Sequence, residues 1–116
     1  MIEKKTAVEH LEEILEVKGI DMIQFGPGDY SISMGLVGQA SSTKVKETEK
    51  KVISTALKYG IRPRAEIESI YNIEETIKSY IDVGVKDFSL PDNATLQYEW
   101  YKKNGEKLKG ILDKSF

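Results

Sequence analysis

Cysteine is absent from the 116 residues, which excludes disulfides, thiolate metal sites and cysteine nucleophiles. No apolar run approaches the roughly 18 residues that a membrane-spanning helix needs. Neither charge dominates: Lys and Arg number 17, Asp and Glu 19, for a net charge of -2. Electrostatics therefore give no reason to expect nucleic acid or an anionic membrane as a partner. Met1 to Lys5 lacks the apolar core of a signal peptide, and the expected location is the cytoplasm. The chain also has no Gly-x-Gly-x-x-Gly fingerprint and no P-loop lysine with its following Ser or Thr. A small flavodoxin-like module that binds phosphate at a glycine turn thereby loses most of its support.

What is present has the balance of an ordinary folded domain, with 40% hydrophobic and 31% charged residues. The length suits one domain with a real core. The most distinctive stretch is Ile20 to Ser31. Ile20, Met22, Ile23 and Phe25 make an apolar run too short for a helix, which reads as a strand. It runs into Gly26-Pro27-Gly28-Asp29, where the glycines and the fixed φ of proline allow a sharp bend with exposed amides. A strand end, free amides and a carboxylate are how an α/β fold builds an anion or metal site, although the same four residues also make a good plain turn.

Elsewhere the pattern alternates between helix and strand. Met1 to Glu3 leaves room for a strand stub only. Thr6 and Glu9 have capping-box spacing, and Ala7, Val8, Leu11, Ile14 and Leu15 repeat at helical period up to Gly19. Tyr30 to Gly35 suggests a short helical turn, and Leu36 to Thr43 a loop. Lys44 to Tyr59 reads as an amphipathic helix closed by Gly60. Ile61 to Ile67 alternates strictly, with Arg62, Arg64 and Glu66 on one face, as a strand does. In a closed barrel that face would point into the central core, where charges are paired or serve a site, and in an open sheet it would face water or another subunit; the structural reading is favoured. Asn72 and Glu75 mark the start of another helix, which Gly84 ends. Val85 to Leu90 is the last strand. A long helix follows with Leu96, Trp100, Leu108 and Ile111 on one side, and Trp100 and Tyr101 are expected to pack on the body or on a neighbour.

One junction occurs three times, as Gly19-Ile20-Asp21, Gly60-Ile61-Arg62 and Gly84-Val85-Lys86. A helix-ending glycine followed by a strand, repeated, predicts successive βα units and a parallel sheet. Ligands in such folds bind at the C-terminal ends of the strands. Here those ends are Glu3, Gly26 to Asp29, Glu66 to Ser69, and Leu90 to Asn93, where acids concentrate.

Met1-Ile2-Glu3-Lys4-Lys5-Thr6-Ala7-Val8, Gly19-Ile20-Asp21, Phe25 to Ser31 and Met34-Gly35 together resemble the metal-dependent HpcH/HpaI aldolases of the phosphoenolpyruvate/pyruvate superfamily. The resemblance is closest over residues 1 to 60. It implies an α/β fold that is half of a TIM (βα)8 barrel, strands five to eight with the first a stub, since an intact barrel takes about 250 residues. Residues 1–116 then form one partial-barrel domain. Its parts are a stub and helix (1–19), a βα unit with the metal and carboxylate motif (20–60), a second βα unit (61–84), and the last strand with the C-terminal helix (85–116).

The resemblance further implies metal-assisted retro-aldol cleavage of a 4-hydroxy-2-oxo acid to pyruvate and an aldehyde. It assigns the metal carboxylates to Glu3 and Asp29, and keto-acid binding to Gly26, Pro27, Gly28 and Asp29, with the amides of Gly28 and Asp29 on the carboxylate. The metal would be Mg²⁺ or Mn²⁺, with Co²⁺ a third candidate. The family's catalytic histidine and arginine belong to earlier strands, and His10 lies in a helix away from the strand ends, so no catalytic residue is assigned here. The open edges of a half barrel imply pairing with a second copy or with a chain supplying the first half. The alternative reading is a non-catalytic, oligomeric half-barrel protein of aldolase descent.

Overall fold

The computed structural model describes residues 1–69 and 71–115. Two short helices, α1 (Lys5–Glu9) and α2 (Leu11–Leu15), precede strand β1 (Met22–Gln24) and helix α3 (Pro27–Ser33). Helix α4 (Thr43–Lys58) leads to β2 (Arg62–Glu66), α5 (Ile73–Asp82) to β3 (Asp87–Ser89), and α6 (Asn93–Ser115) follows. The three strands form a parallel sheet in the order β1-β2-β3. The N-terminal stub joins it through a parallel bridge between Ile2 and Phe25. There Ile2 N–H donates to Gln24 O at 2.8 Å, and Gly26 N–H donates to Ile2 O at 3.0 Å. The expected succession of βα units is therefore present, and so is the stub.

β2 shows how the sequence pattern becomes a layer. Pro63 and Ala65 are buried while Arg62, Arg64 and Glu66 are exposed, the period of two that places one set under the helices. A proline in a central strand needs an explanation, because it cannot donate to the ladder. Arg62 N–H donates to Asp21 O on the β1 side, and Ile67 N–H donates to Ser89 O on the β3 side. Odd residues of β2 thus address β3, whose pairing begins only opposite Arg64. The missing donor of Pro63 falls where no partner strand has yet started.

The core lies between the sheet and its helices. Ile2, Ile23 and Phe25 pack with Leu11, Leu15, Tyr30, Val45, Val52 and Ala56, and Ala65 packs with Ile53 and Val85. Phe25 and Tyr30 meet as tilted rings with centroids 5.1 Å apart. Gly19, Gly60 and Gly84 all take the left-handed conformation, with φ of 93°, 71° and 95°, so each recurrent junction turns on a residue without a Cβ.

Three local expectations give way. The helix expected from Thr6 starts at Lys5 and is kinked at His10, with φ -104° and ψ 26°. Its entry is not a capping box: the Lys5 N–H is satisfied by Ser33 Oγ at 3.0 Å, a tertiary contact that no local spacing encodes. Asn72 precedes α5 in the left-handed region and makes no side-chain cap; Thr76 N–H bonds to the Asn72 carbonyl instead. The helical turn expected over Tyr30 to Gly35 begins earlier, with Pro27 in its first turn, where the absent N–H costs nothing. Asp92 does act as a cap. It accepts from Thr95 N–H at 2.8 Å, and this backbone bond holds its carboxyl below the usual range.

Helix α6 is 23 residues long. Trp100, Tyr101, Leu108 and Leu112 on it are largely exposed. Its tie to the body includes Ser69 Oγ–H donating to Glu99 Oε1 at 2.6 Å. No helix among the described residues is long and apolar enough to cross a membrane.

Candidate active site

The site grows from the bridge between the stub and β1. That bridge sets Glu3 beside Gly26, just past the ends of their strands. The Glu3 side chain then lies across the Gly26 backbone. A Cβ on Gly26 would stand 2.7 Å from Glu3 Cγ and 3.1 Å from Oε1. Gly26 is therefore required for a close approach, and its glycine identity lets the carboxylate of one strand cover the end of the next.

Gly26 is also the residue from which α3 springs, with no side-chain cap on its first turn. The amides of Gly28 and Asp29 have no carbonyl one turn back within the helix. Asp29 lies in that same turn and is exposed, as is Gly28. The turn is braced from behind by Ser31, whose buried hydroxyl donates to Gly28 O at 2.7 Å. Glu3, Gly26, Pro27, Gly28 and Asp29 thus gather at one corner of the C-terminal end of the sheet.

Two carboxylates flanking one turn are a hard-oxygen donor set. Mg²⁺ commonly binds through one or two carboxylates and keeps water and substrate oxygens in its other positions. The chemistry of Glu3 and Asp29 fits such an ion. Among the described residues there is no group of three or more His, Cys, Asp and Glu placed to hold a metal. His10 is remote from this corner. It sits at the α1/α2 kink, exposed, with Nδ1 2.9 Å from Glu13 Oε1, and this bond holds the imidazole above its usual pKa.

One residue not singled out by its spacing, Gln24, extends the corner to the charged face of β2. Gln24, 7% exposed, accepts from Arg64 Nε at 2.5 Å and donates from Nε2 to Glu66 Oε2 at 3.1 Å. Arg62 reaches Asp87 Oδ1 at 3.3 Å. The charged face of β2 is thus tied to both neighbouring strands. On the other side, Tyr80 donates to Glu49 Oε1 at 2.8 Å between α5 and α4. Burial pushes the Glu49 carboxyl up, and burial together with the Glu49 charge pushes the Tyr80 phenol far up. The one available sequence signal for Gln24 is its apolar surroundings, which leave a single amide with no solvent to bond.

Known proteins are similar to this chain in sequence and fold. The model of the HpcH/HpaI aldolase/citrate lyase family matches residues 1–91. A 2-keto-3-deoxy-L-rhamnonate aldolase of Escherichia coli (strain K12) is 29% identical, over 94% of this chain and 43% of its own. Among solved structures, an HpcH/HpaI aldolase from Desulfitobacterium hafniense DCB-2 superposes with a TM-score of 0.81 at 25% identity, covering 92% of this chain and 40% of that one. The citrate synthase SbnG superposes with a TM-score of 0.78 at 25% identity, covering 96% and 44%. The chain therefore spans less than half the length of each of these proteins, and its sheet fits part of their barrel.

Proposed function

The chain belongs to the HpcH/HpaI aldolase/citrate lyase family, and from this premise we propose that it is the part of a carbon–carbon lyase that holds the keto-acid half of the substrate. The reaction is retro-aldol cleavage of a 4-hydroxy-2-oxo acid. A base takes the C4 hydroxyl proton, the C3–C4 bond breaks to leave an aldehyde and the enolate of pyruvate, and the enolate takes up a proton at C3. Glu3 and Asp29 would hold a divalent cation, Mg²⁺ or Mn²⁺. When bound, that ion supplies Lewis-acid stabilisation of charge on the keto oxygen. The amides of Gly28 and Asp29 receive the substrate carboxylate, and Gly26 and Pro27 shape the turn that presents them. The observation that carries this reading is the Glu3 side chain lying over Gly26, which delivers one carboxylate to the turn that bears the other.

No residue of this chain is assigned as the base. The barrel positions five to eight suggested by the resemblance leave that role to other strands. The outer edge of the stub and that of β3 have no partner strand among the described residues, which supports completion of the barrel by further strands, from a second copy or another chain. Titration with Mn²⁺, followed by calorimetry with and without pyruvate or oxalate, tests the site. The expected result is keto-acid-enhanced Mn²⁺ binding that Asp29→Ala abolishes. Absence of binding, or binding indifferent to Asp29→Ala, favours the non-catalytic half barrel.

A further inference from the structure

Helices α4 and α5 flank the middle strand β2 without closing over it. Tyr80 on α5 reaches Glu49 on α4 through its 2.8 Å hydrogen bond, and beside that bond a groove of about 400 Å³ runs between the helices. Lys46, Lys50 and Ile53 of α4 form one wall, and Thr76, Ser79 and Val83 of α5 face them. None of Glu3, Gly26, Gly28 or Asp29 lines it, so it is separate from the strand-end corner. It also lies at neither open edge of the sheet, and strands added at those edges would leave it uncovered.

The walls change character along their length. As return arms of consecutive βα units, α4 and α5 run the same way, so early positions of both stand at one end. Lys46 and Thr76 lie there, Lys50 and Ser79 follow, and Ile53 and Val83 lie at the other end, about 10 Å from Lys46 along the helix. The apolar end is firm: Ile53 is buried, and the Tyr80 ring meets Phe88 edge-on with centroids 6.4 Å apart. The polar end is electrostatically unfinished. Lys46 and Lys50 are exposed one turn apart, a like-charge spacing that weakens a helix, and neither forms an ion pair among the described residues. Glu49 is the lining's one acid, and it is already engaged by Tyr80.

We propose that this groove binds a small monocarboxylate with an apolar tail, the carboxylate between Lys46 and Lys50 and the tail over Ile53, Tyr80 and Val83. A cation of the same shape meets two lysines, and a neutral chain leaves them unpaired. A dicarboxylate must set its second charge on the apolar floor. The test is NMR titration of the isotope-labelled full chain, without divalent metal, with hexanoate, hexylamine, hexanol and acetate. Hexanoate should shift amides of α4 and α5 around the groove and bind about tenfold more tightly than the other three. Lys46→Ala and Lys50→Ala together should weaken hexanoate about tenfold and leave hexanol unchanged; both side chains are exposed, so the fold tolerates the change. Equal binding of hexanol or hexylamine removes the role of charge, and equal binding of acetate removes the tail. Lysine replacement without effect, or shifts centred on Gly28 and Asp29 instead, also overturns the proposal. So does failure of hexanoate to bind, and if the lysine variants then alter sedimentation, the groove is a contact between copies.

Discussion

The Glu3 side chain occupies the space that a Cβ on Gly26 would need, 2.7 Å from Cγ. Gly26 has an ordinary extended backbone, with φ -107° and ψ 94°, so alanine fits the main chain and conflicts only with Glu3. Gly26→Ala should therefore change stability by less than about 1 kcal/mol, since a flexible side chain can swing away. The displaced carboxylate should weaken Mn²⁺ binding about tenfold. Urea denaturation and calorimetry measured together check this, and a large stability loss with unchanged affinity would contradict it.

Gln24 supplies the second test. Its amide joins Arg64 to Glu66 from a buried position. Gln24→Leu keeps the volume but strips both partners, one of them a guanidinium on an exposed strand face. The expected loss is about 1–2 kcal/mol. Glu66→Gln, which keeps an acceptor for the amide, should lose less than half of that. The comparison is read from urea midpoints at constant slope.

Much of this architecture could be read from residue order, and the exceptions share a cause. The strict alternation from Ile61 to Ile67 located β2 and its two faces, because a strand half covered by helices imposes a period of two. The three glycines at positions 19, 60 and 84 located the junctions, because a chain leaving a helix for a strand needs a left-handed residue there. Thr6 and Asn72 misled, since capping spacing is local while the actual partners are Ser33 Oγ for Lys5 and backbone alone for Thr76. The Gly26-Pro27-Gly28-Asp29 motif was legible as a candidate corner. That Glu3 crosses it, and that Gln24 links Arg64 to Glu66 beside it, depends on strand register, which spacing along the chain does not carry.

The pair of Glu49 and Tyr80 makes stability depend on pH. Burial raises the Glu49 carboxyl above its reference value of 4.5, with the Tyr80 hydrogen bond opposing. Lys46 also opposes the shift and Glu68 adds to it. A raised folded-state pKa means the folded chain binds the proton more tightly than the unfolded one. The Glu49 contribution is thus fully present below pH 4.5 and is lost as pH rises through the higher folded value. Glu49→Gln carries no such proton and can still accept from Tyr80. The difference in urea midpoint, variant minus native, should grow as pH rises from 4.5 and then level off. A difference that stays flat with pH would remove this account.

Helix α6 is the element whose surroundings should change most on assembly. Trp100 and Tyr101 are 58% and 68% exposed, and their rings stack edge-on with centroids 5.2 Å apart. Leu108 and Leu112 continue an apolar face one and two turns beyond Asn104. A helix of this length presents more apolar side chains than a monomer ordinarily leaves in water. If the open sheet edges recruit further strands, this helix is carried along beside them, and Trp100 passes from water into a contact. The single tryptophan makes the event observable: its emission should shift to shorter wavelength as the chain is concentrated through the micromolar range, in step with sedimentation. Replacing Trp100 and Leu108 together with serine should weaken association by about tenfold or more. The urea midpoint at high dilution should move little, because neither side chain belongs to the core beneath the sheet. A well-folded monomer at micromolar concentration, with Trp100 emission independent of concentration, would count against both the docking of α6 and completion of the barrel by a second copy.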